Sequence, residues 1–227
     1  MNQVLKFFCL LLLPFTLQNE PQLFFRIRTD FTIKAKSANG DQQLTVGVIY
    51  YDRNIRQIVY DISFPEKEIW VQKDTVLFKI VNSSVVSRQK IPTGIDFSIY
   101  NLALNGTLND YGLHKTNFKI RKVEKSENGV ISTWHPPSQA KKYIGDILLS
   151  VVNQQLDGIV FLDVKGEVLS RQFFRSYIKV KGLSFPQEII KESYSNGQKD
   201  IELTTFTNIL VNDLNNENKY NYKVPAY

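Results

Sequence analysis

Short runs of alternating apolar and polar residues, separated by turn residues, recur along most of the chain. Residues 31–36 and 43–51 alternate on either side of Asn39-Gly40, and Asn196-Gly197 separates two later runs. An Asn-Gly pair between two such runs is the strongest short-range signal for a β-hairpin. Further strands are predicted at residues 55–62, 68–71, 75–81, 118–124, 130–134, 142–152, 158–164, 168–177, 185–194 and 200–210. This spacing indicates an antiparallel meander.

Two segments depart from the alternation. Between Thr93 and Leu108, apolar residues recur with a period near 3.6, which predicts a helix that ends near Asn105-Gly106. A helix this short is marginal alone and needs a sheet to lie on. The segment 212–227 is rich in Asn and Lys, and we expect it to be loosely ordered.

The first residues have the pattern of an export signal. Lys6 precedes an apolar run over residues 7–17, and no charge follows until Glu20. This is the length of a signal-peptide core and is short for a membrane span, although a buried strand or an uncleaved anchor stays open. We therefore predict a signal peptide at 1–18, a single domain at 19–227 and a periplasmic location. The one cysteine, Cys9, lies in the signal, so the mature chain would have no thiol chemistry.

Composition and motifs favour a binding protein. The net charge of +6 comes from basic residues scattered among acidic ones, which argues against nucleic-acid binding. His114 and His135 lack metal-ligand spacing, and no motif of a hydrolase, a nucleotide-binding enzyme or a metalloenzyme occurs. Asp157 and Asp163 are the acidic residues to test for an enzyme, and a solvated strand end explains both. We expect no catalytic residue, no metal and no cofactor.

The sequence resembles the periplasmic outer-membrane lipoprotein carriers, the LolA-like family, over residues 30–212. The resemblance lies in Asp-Phe-Thr-Ile-Lys at 30–34, Gly-Val-Ile-Tyr-Tyr-Asp-Arg at 47–53, the strands at 58–65 and 68–78, and the second-half segments 163–168 and 182–189 with Tyr177. It implies a mainly β fold, a half-open antiparallel barrel of about eleven strands. One or two helices would form a lid over an apolar cavity.

The resemblance also implies a function. The protein would act as a chaperone that carries the acyl chains of lipoproteins, or other lipids, across the periplasm during outer-membrane biogenesis. An inner-membrane extraction complex and an outer-membrane receptor are the implied partners, and we expect a monomer. Arg53 matches the arginine that contacts the lid and switches the cavity, but Asn54 replaces the following proline. The short N-terminal segment leaves room for a lid only at 21–28 and in the helix near 95–108.

An apolar ligand needs apolar walls, and the chain has 15 Phe and 11 Tyr, many of them in strand patterns. The candidate cavity residues are Ile49, Tyr51, Val59, Trp70, Phe78, Ile99 and Leu102. A one-residue error in register would move a strand residue to the other face. Two other functions stay open: a sensor or regulatory protein on the same fold that binds a protein partner, and an enzyme of exported polysaccharide or lipid metabolism.

Overall fold

The computed structural model describes residues 23–91 and 94–226, in which thirteen strands form one antiparallel sheet. The strands are β1 (Arg26–Lys36), β2 (Gln42–Asp52), β3 (Gln57–Phe64), β4 (Glu68–Lys73), β5 (Val76–Val81), β6 (Ser84–Lys90), β7 (Lys119–Ser126), β8 (Gly129–His135), β9 (Ile147–Val152), β10 (Gln155–Leu162), β11 (Val168–Val180), β12 (Leu183–Ser195) and β13 (Gln198–Val211). β1 pairs with β13 at the centre, and β6 and β7 are the two edges. The predicted half-open barrel is confirmed, because the sheet does not close.

Hairpin turns with left-handed residues connect neighbouring strands. Asn196 and Gly197 join β12 to β13 with φ angles of 51° and 75°. Asn82 and Ser83 join β5 to β6 in the same way, with φ angles of 48° and 62°. Positive φ at both central residues matches the right-handed twist of paired strands. The turn between β12 and β13 was predicted from its Asn-Gly pair. The strand β6 was not predicted, because its residues are mostly polar, and the sheet has thirteen strands where about eleven were expected.

Residues 94–116, the lid segment, cross the concave face of the sheet. They contain a 3₁₀ turn at Ile95–Phe97, the helix α1 (Ile99–Leu104) and a second 3₁₀ turn at Leu113–Lys115. α1 is shorter than the helix predicted over 93–108, since Ser98 is extended and caps α1 by accepting a hydrogen bond from the Asn101 amide. Asn105 ends α1 as predicted. Thr93 lies outside the described residues.

Residues 212–226, the tail, pack on the convex face. The helix α2 (Glu217–Tyr220) places Tyr220 with no exposed surface, and its ring meets Tyr50 edge-on at 5.3 Å between centroids. The prediction of a loosely ordered tail is therefore wrong for its described residues. Tyr220, Tyr222 and Val224 all pack against the convex apolar cluster, and their every-second-residue spacing was visible in the sequence.

Ion pairs and a cation–π contact of Arg26 hold the tail against the sheet. The guanidinium of Arg26 forms ion pairs with Asp52 and Glu217 and lies 4.6 Å from the centre of the Tyr220 ring. The Arg26 and Asp52 side chains are only 8% and 3% exposed, and such a buried pair needs further hydrogen bonds to offset desolvation. Asp52 obtains them from the backbone amides of Asn54 and Ile55.

The predicted N-terminal lid at 21–28 is not present in the described residues. Arg26–Arg28 begin β1 instead and pair with β2. A segment that contributes to the centre of the sheet is unable to serve as a movable cover. The predicted signal peptide at 1–18 lies outside the described residues.

Candidate functional site

An open groove lies between the lid segment and the concave face. It consists of two adjoining volumes of about 320 and 340 Å³ that share six lining residues. The shared residues are Phe31, Ile33, Tyr60, Gln72, Ile91 and Glu202. Most of the floor is apolar, which is typical of a site for a small hydrophobic ligand.

Aromatic rings form the inner end of the groove. Tyr100 of α1 packs on Phe185 and Phe206 of the sheet, with centroid distances of 6.2 and 6.0 Å. Phe31 meets Tyr60 edge-on at 6.0 Å. Offset and edge-on arrangements are those that aromatic pairs prefer, so this end of the groove is preformed.

A small polar network anchors α1 to the sheet. The Tyr51 hydroxyl donates a hydrogen bond of 2.6 Å to Oδ1 of Asn101, which also accepts one of 2.9 Å from Asn105. The Asn101 side-chain amide donates to the carbonyl of Asp96. Asn101 is only 8% exposed, and its side chain is satisfied on both sides. The network ties the lid to β2 with hydrogen bonds, which unlike apolar packing are lost abruptly when the partners separate.

The structure places five of the seven predicted cavity residues on the concave side. Ile49, Trp70 and Ile99 line the groove itself. Tyr51 is fully buried beneath α1, where its hydroxyl holds Asn101. Leu102 packs in a second apolar cluster on the far side of α1. Their contact with a ligand stays a prediction.

Val59 and Phe78 lie on the convex face, so they do not line this groove. Both pack in the cluster that the tail covers, and Val59 has no exposed surface. The cause is the two-residue period of a strand: the neighbours Ile58 and Tyr60 face the concave side. The prediction that Val59 lines the cavity is therefore wrong, because the concave residues of β3 are the ones directly before and after it.

Sequence reasoning missed several groove residues, among them Tyr60. The pairing of β2 with β3 would have identified it, because Tyr60 on β3 is directly opposite Ile49 on β2, and opposite residues point to the same face of a sheet. Burial raises the pKa of the Tyr60 hydroxyl to about 12, and the charge of Glu202 contributes in the same direction. At neutral pH this hydroxyl is protonated and is able to donate a hydrogen bond.

Arg53 reaches the end of the lid helix. Its Nη1 donates long hydrogen bonds to the Leu104 carbonyl at 3.4 Å and to Asn105 Oδ1 at 3.3 Å. Asn54, where the family has proline, donates its backbone amide to Asp52, a bond that proline is unable to make. The lid contact implied for Arg53 is present, and its switching role stays a prediction.

The acidic residues considered for an enzyme have local roles. Asp157 forms an ion pair of 2.6 Å with Arg175 on the neighbouring strand. Asp163 accepts hydrogen bonds from the amides of Lys165 and Glu167 in its own turn. Within the described ranges, no group of three or more His, Cys, Asp or Glu side chains is arranged to hold a metal ion.

Solved structures with this architecture come from several bacteria. A LolA superfamily protein from Nitrosomonas europaea is 14% identical, with a TM-score of 0.58 over 86% of this chain and 90% of its own. A domain from Vibrio parahaemolyticus, described as an outer membrane lipoprotein-sorting protein, is 11% identical with a TM-score of 0.61 over 87% and 89%. The chain has the LolA fold. The fold implied by the sequence resemblance is thereby confirmed.

A solved structure from a family of another name is similar to this chain as well. A DUF1329 family protein from Desulfovibrio piger is 9% identical, with a TM-score of 0.61 over 87% of this chain and 90% of its own. No protein-family model and no curated protein matches the sequence. At these identities the likeness concerns the LolA fold alone. None of the helices in residues 23–91 and 94–226 has the length and apolar character needed to cross a membrane.

Proposed function

We propose that this protein is a non-enzymatic periplasmic carrier that holds the acyl chains of a lipoprotein, or of another lipid, in the groove beneath the lid segment. A monomer would receive its cargo from an inner-membrane extraction complex and deliver it to an outer-membrane receptor. The observation that carries the proposal is an apolar groove on the concave side of an unclosed LolA-type sheet, roofed by one short helix.

The free energy of acyl-chain burial suits this site. Removing a chain from water is favourable by about 0.8 kcal/mol for each CH₂ group. Phe31, Ile49 and Ile99 offer the apolar surface that such a chain would contact. The groove is open to solvent along one side, so the chain is able to leave without unfolding of the sheet. A carrier needs both properties, since it binds cargo and then releases it.

The test is native mass spectrometry with lipid extraction on the protein purified from a bacterial periplasm. We expect an acylated peptide or a lipid in a ratio near one to one. Ile99→Asp should abolish this cargo and weaken binding of a fluorescent fatty acid by more than about tenfold, which corresponds to about 1.4 kcal/mol. Aspartate in the first turn of α1 is compatible with the helix. Because Ile99 also packs against both concave clusters, thermal unfolding of the variant has to show that the fold is retained.

Val164→Asp is the matched control, because Val164 is 56% exposed in a turn. It adds the same charge and should leave cargo binding unchanged. A protein that is recovered without lipid and also fails to bind the fatty acid would refute the carrier proposal. Co-purification of a membrane protein without lipid would instead favour a regulatory protein that binds a protein partner.

A further inference from the structure

The concave face changes in character along the strands, from apolar beneath the lid to polar at the outer end. Strand register arranges its residues in rows that cross neighbouring strands. Phe206 and Phe31 are opposite each other in the inner row. Four residues further along β13, Glu202 is opposite Ala35. Four residues of a strand span about 13 Å, a length that separates the two ends of an amphiphile.

The outer row contains polar side chains from four strands. It runs Gln172, Lys191, Glu202, Ala35 and Gln43 across β11, β12, β13, β1 and β2. All five residues line the groove. The groove therefore has one apolar end and one end with a cation, an anion and two amides.

Lys191 and Glu202 are direct cross-strand neighbours, yet their charged atoms do not form an ion pair within 4 Å. Neither makes an ion pair with any other residue in the described part of the chain, whereas Glu192 on β12 is paired with Lys199 on β13. Opposite charges at facing positions usually attract weakly, and these two are left available to a third group.

Tyr60, at the inner end of the groove, adds a neutral donor, and the charge of Glu202 acts on its hydroxyl. Tyr60 lines both parts of the groove together with Glu202. A bound head group would therefore meet a positive charge, a negative charge and hydrogen-bonding groups at one end of the groove. Such a set complements a head that carries both charges, because a purely anionic or purely cationic head would be repelled by one of the two.

We infer that the groove takes an amphiphile with a zwitterionic head, a phosphate and an ammonium as in phosphoethanolamine, oriented with its acyl chain under the lid segment. The phosphate lies against Lys191 and the ammonium against Glu202. This inference rests on the proposed function, since it assigns a polar end to the same site. It makes the head group, and not the chain alone, a determinant of which cargo is held.

The test uses three probes with one identical acyl chain: lysophosphatidylethanolamine, lysophosphatidylglycerol and monoacylglycerol. Each displaces a fluorescent fatty acid from the full protein. We expect the ethanolamine lipid to bind about tenfold or more tightly than the other two, as bonds to charged groups would give. Free phosphoethanolamine should compete only weakly, which distinguishes a lipid head from a free phosphate compound.

Lys191→Glu and Glu202→Lys should each remove the preference for the ethanolamine lipid without affecting binding of monoacylglycerol. The double exchange Lys191→Glu with Glu202→Lys should restore much of it, because both charges are present again. Lys165→Glu, in an exposed turn, is the charge-matched control and should change nothing. Thermal unfolding of each variant shows that the fold is retained.

Three outcomes are distinguishable. Loss of the preference in the single variants and recovery in the double variant support the inference. Equal binding of all three probes, unaffected by the substitutions, refutes the zwitterionic head but leaves the carrier proposal standing. Failure of every probe to bind refutes both.

Discussion

The two faces of strands β2 to β5 are both apolar, but they are covered in different ways. On the convex face, Tyr50, Val59, Val71 and Ile80 are buried under the chain's own tail. On the concave face, the lid segment covers only part of the surface and leaves the groove. The convex cluster beneath the tail contributes stability, and the concave face retains apolar surface for a ligand. A hydrophobic pattern alone does not distinguish these two uses.

The polar contacts that hold the tail also differ from those that hold the lid segment. The tail is fixed by the Arg26–Glu217 ion pair, a cation–π contact of Arg26 with Tyr220 and a Lys219–Asp61 ion pair of 2.6 Å. The lid is held by neutral hydrogen bonds and by the two long bonds of Arg53. A hydrogen bond between neutral groups contributes about 1 kcal/mol net, and one to a charged group contributes about 1.5–3 kcal/mol. We expect the lid to open well before the tail detaches.

The largest effect should come from the convex face. Tyr220→Ala removes a fully buried aromatic ring and should lower the free energy of unfolding by about 3–5 kcal/mol. Affinity for a fatty-acid probe should remain close to that of the unmodified protein wherever the variant is folded. Urea unfolding and probe titration measure the two quantities. A variant that keeps its stability but loses affinity would contradict the division between the two faces.

An intermediate effect should come from the lid anchor. Tyr51→Phe removes the hydroxyl that donates to Asn101 and should cost about 1 kcal/mol, the usual net contribution of one hydrogen bond. The same change should increase the rate of probe release, because the lid is tied to β2 through this bond. Stopped-flow displacement measures that rate. An unchanged rate together with the lost stability would show that the anchor does not limit opening.

The smallest effect on stability should come from Arg53. Because its bonds to the end of α1 are long, Arg53→Gln should change the free energy of unfolding by less than about 0.5 kcal/mol. If Arg53 has the switching role that the family resemblance implies, probe exchange should nevertheless become faster. Lys115→Gln, at the rim of the pocket that Arg53 also lines, is the control for a lost positive charge. Equal exchange rates in both variants would remove Arg53 from the switch.

The sequence was sufficient for the fold class because the hairpin signals are local. Asn-Gly at 196–197 predicted its turn, since few other residues accept its left-handed geometry. Lid position and the Arg53 contact came from the family resemblance together with the helical period near Ile99 and Leu102. The side-chain faces were harder to predict: Val59 was misplaced because Ile58, Val59 and Tyr60 are all apolar, and both faces of β3 are covered.

The tail and the polar row depend on long-range pairing that a single sequence does not display. Tyr220 is held against the sheet by two residues that are distant in the sequence. The Arg26 guanidinium lies over its ring, and the Gln57 side-chain amide donates to the carbonyls of Tyr220 and Tyr222. Lys191 and Glu202 are neighbours only through the register of β12 and β13. Once that register is known, the row follows from the two-residue period alone.

The pairing of β1 with β13 at the centre of the sheet has a consequence for how the chain folds. β1 pairs with β2 through a short turn, but its other edge stays open until β13 pairs with it from beyond residues 37–197. An unpaired strand edge invites wrong partners, and contacts this distant in sequence form slowly. The sheet is thus completed only when β13 is available, so its centre is formed by the two described strands that are furthest apart in the sequence.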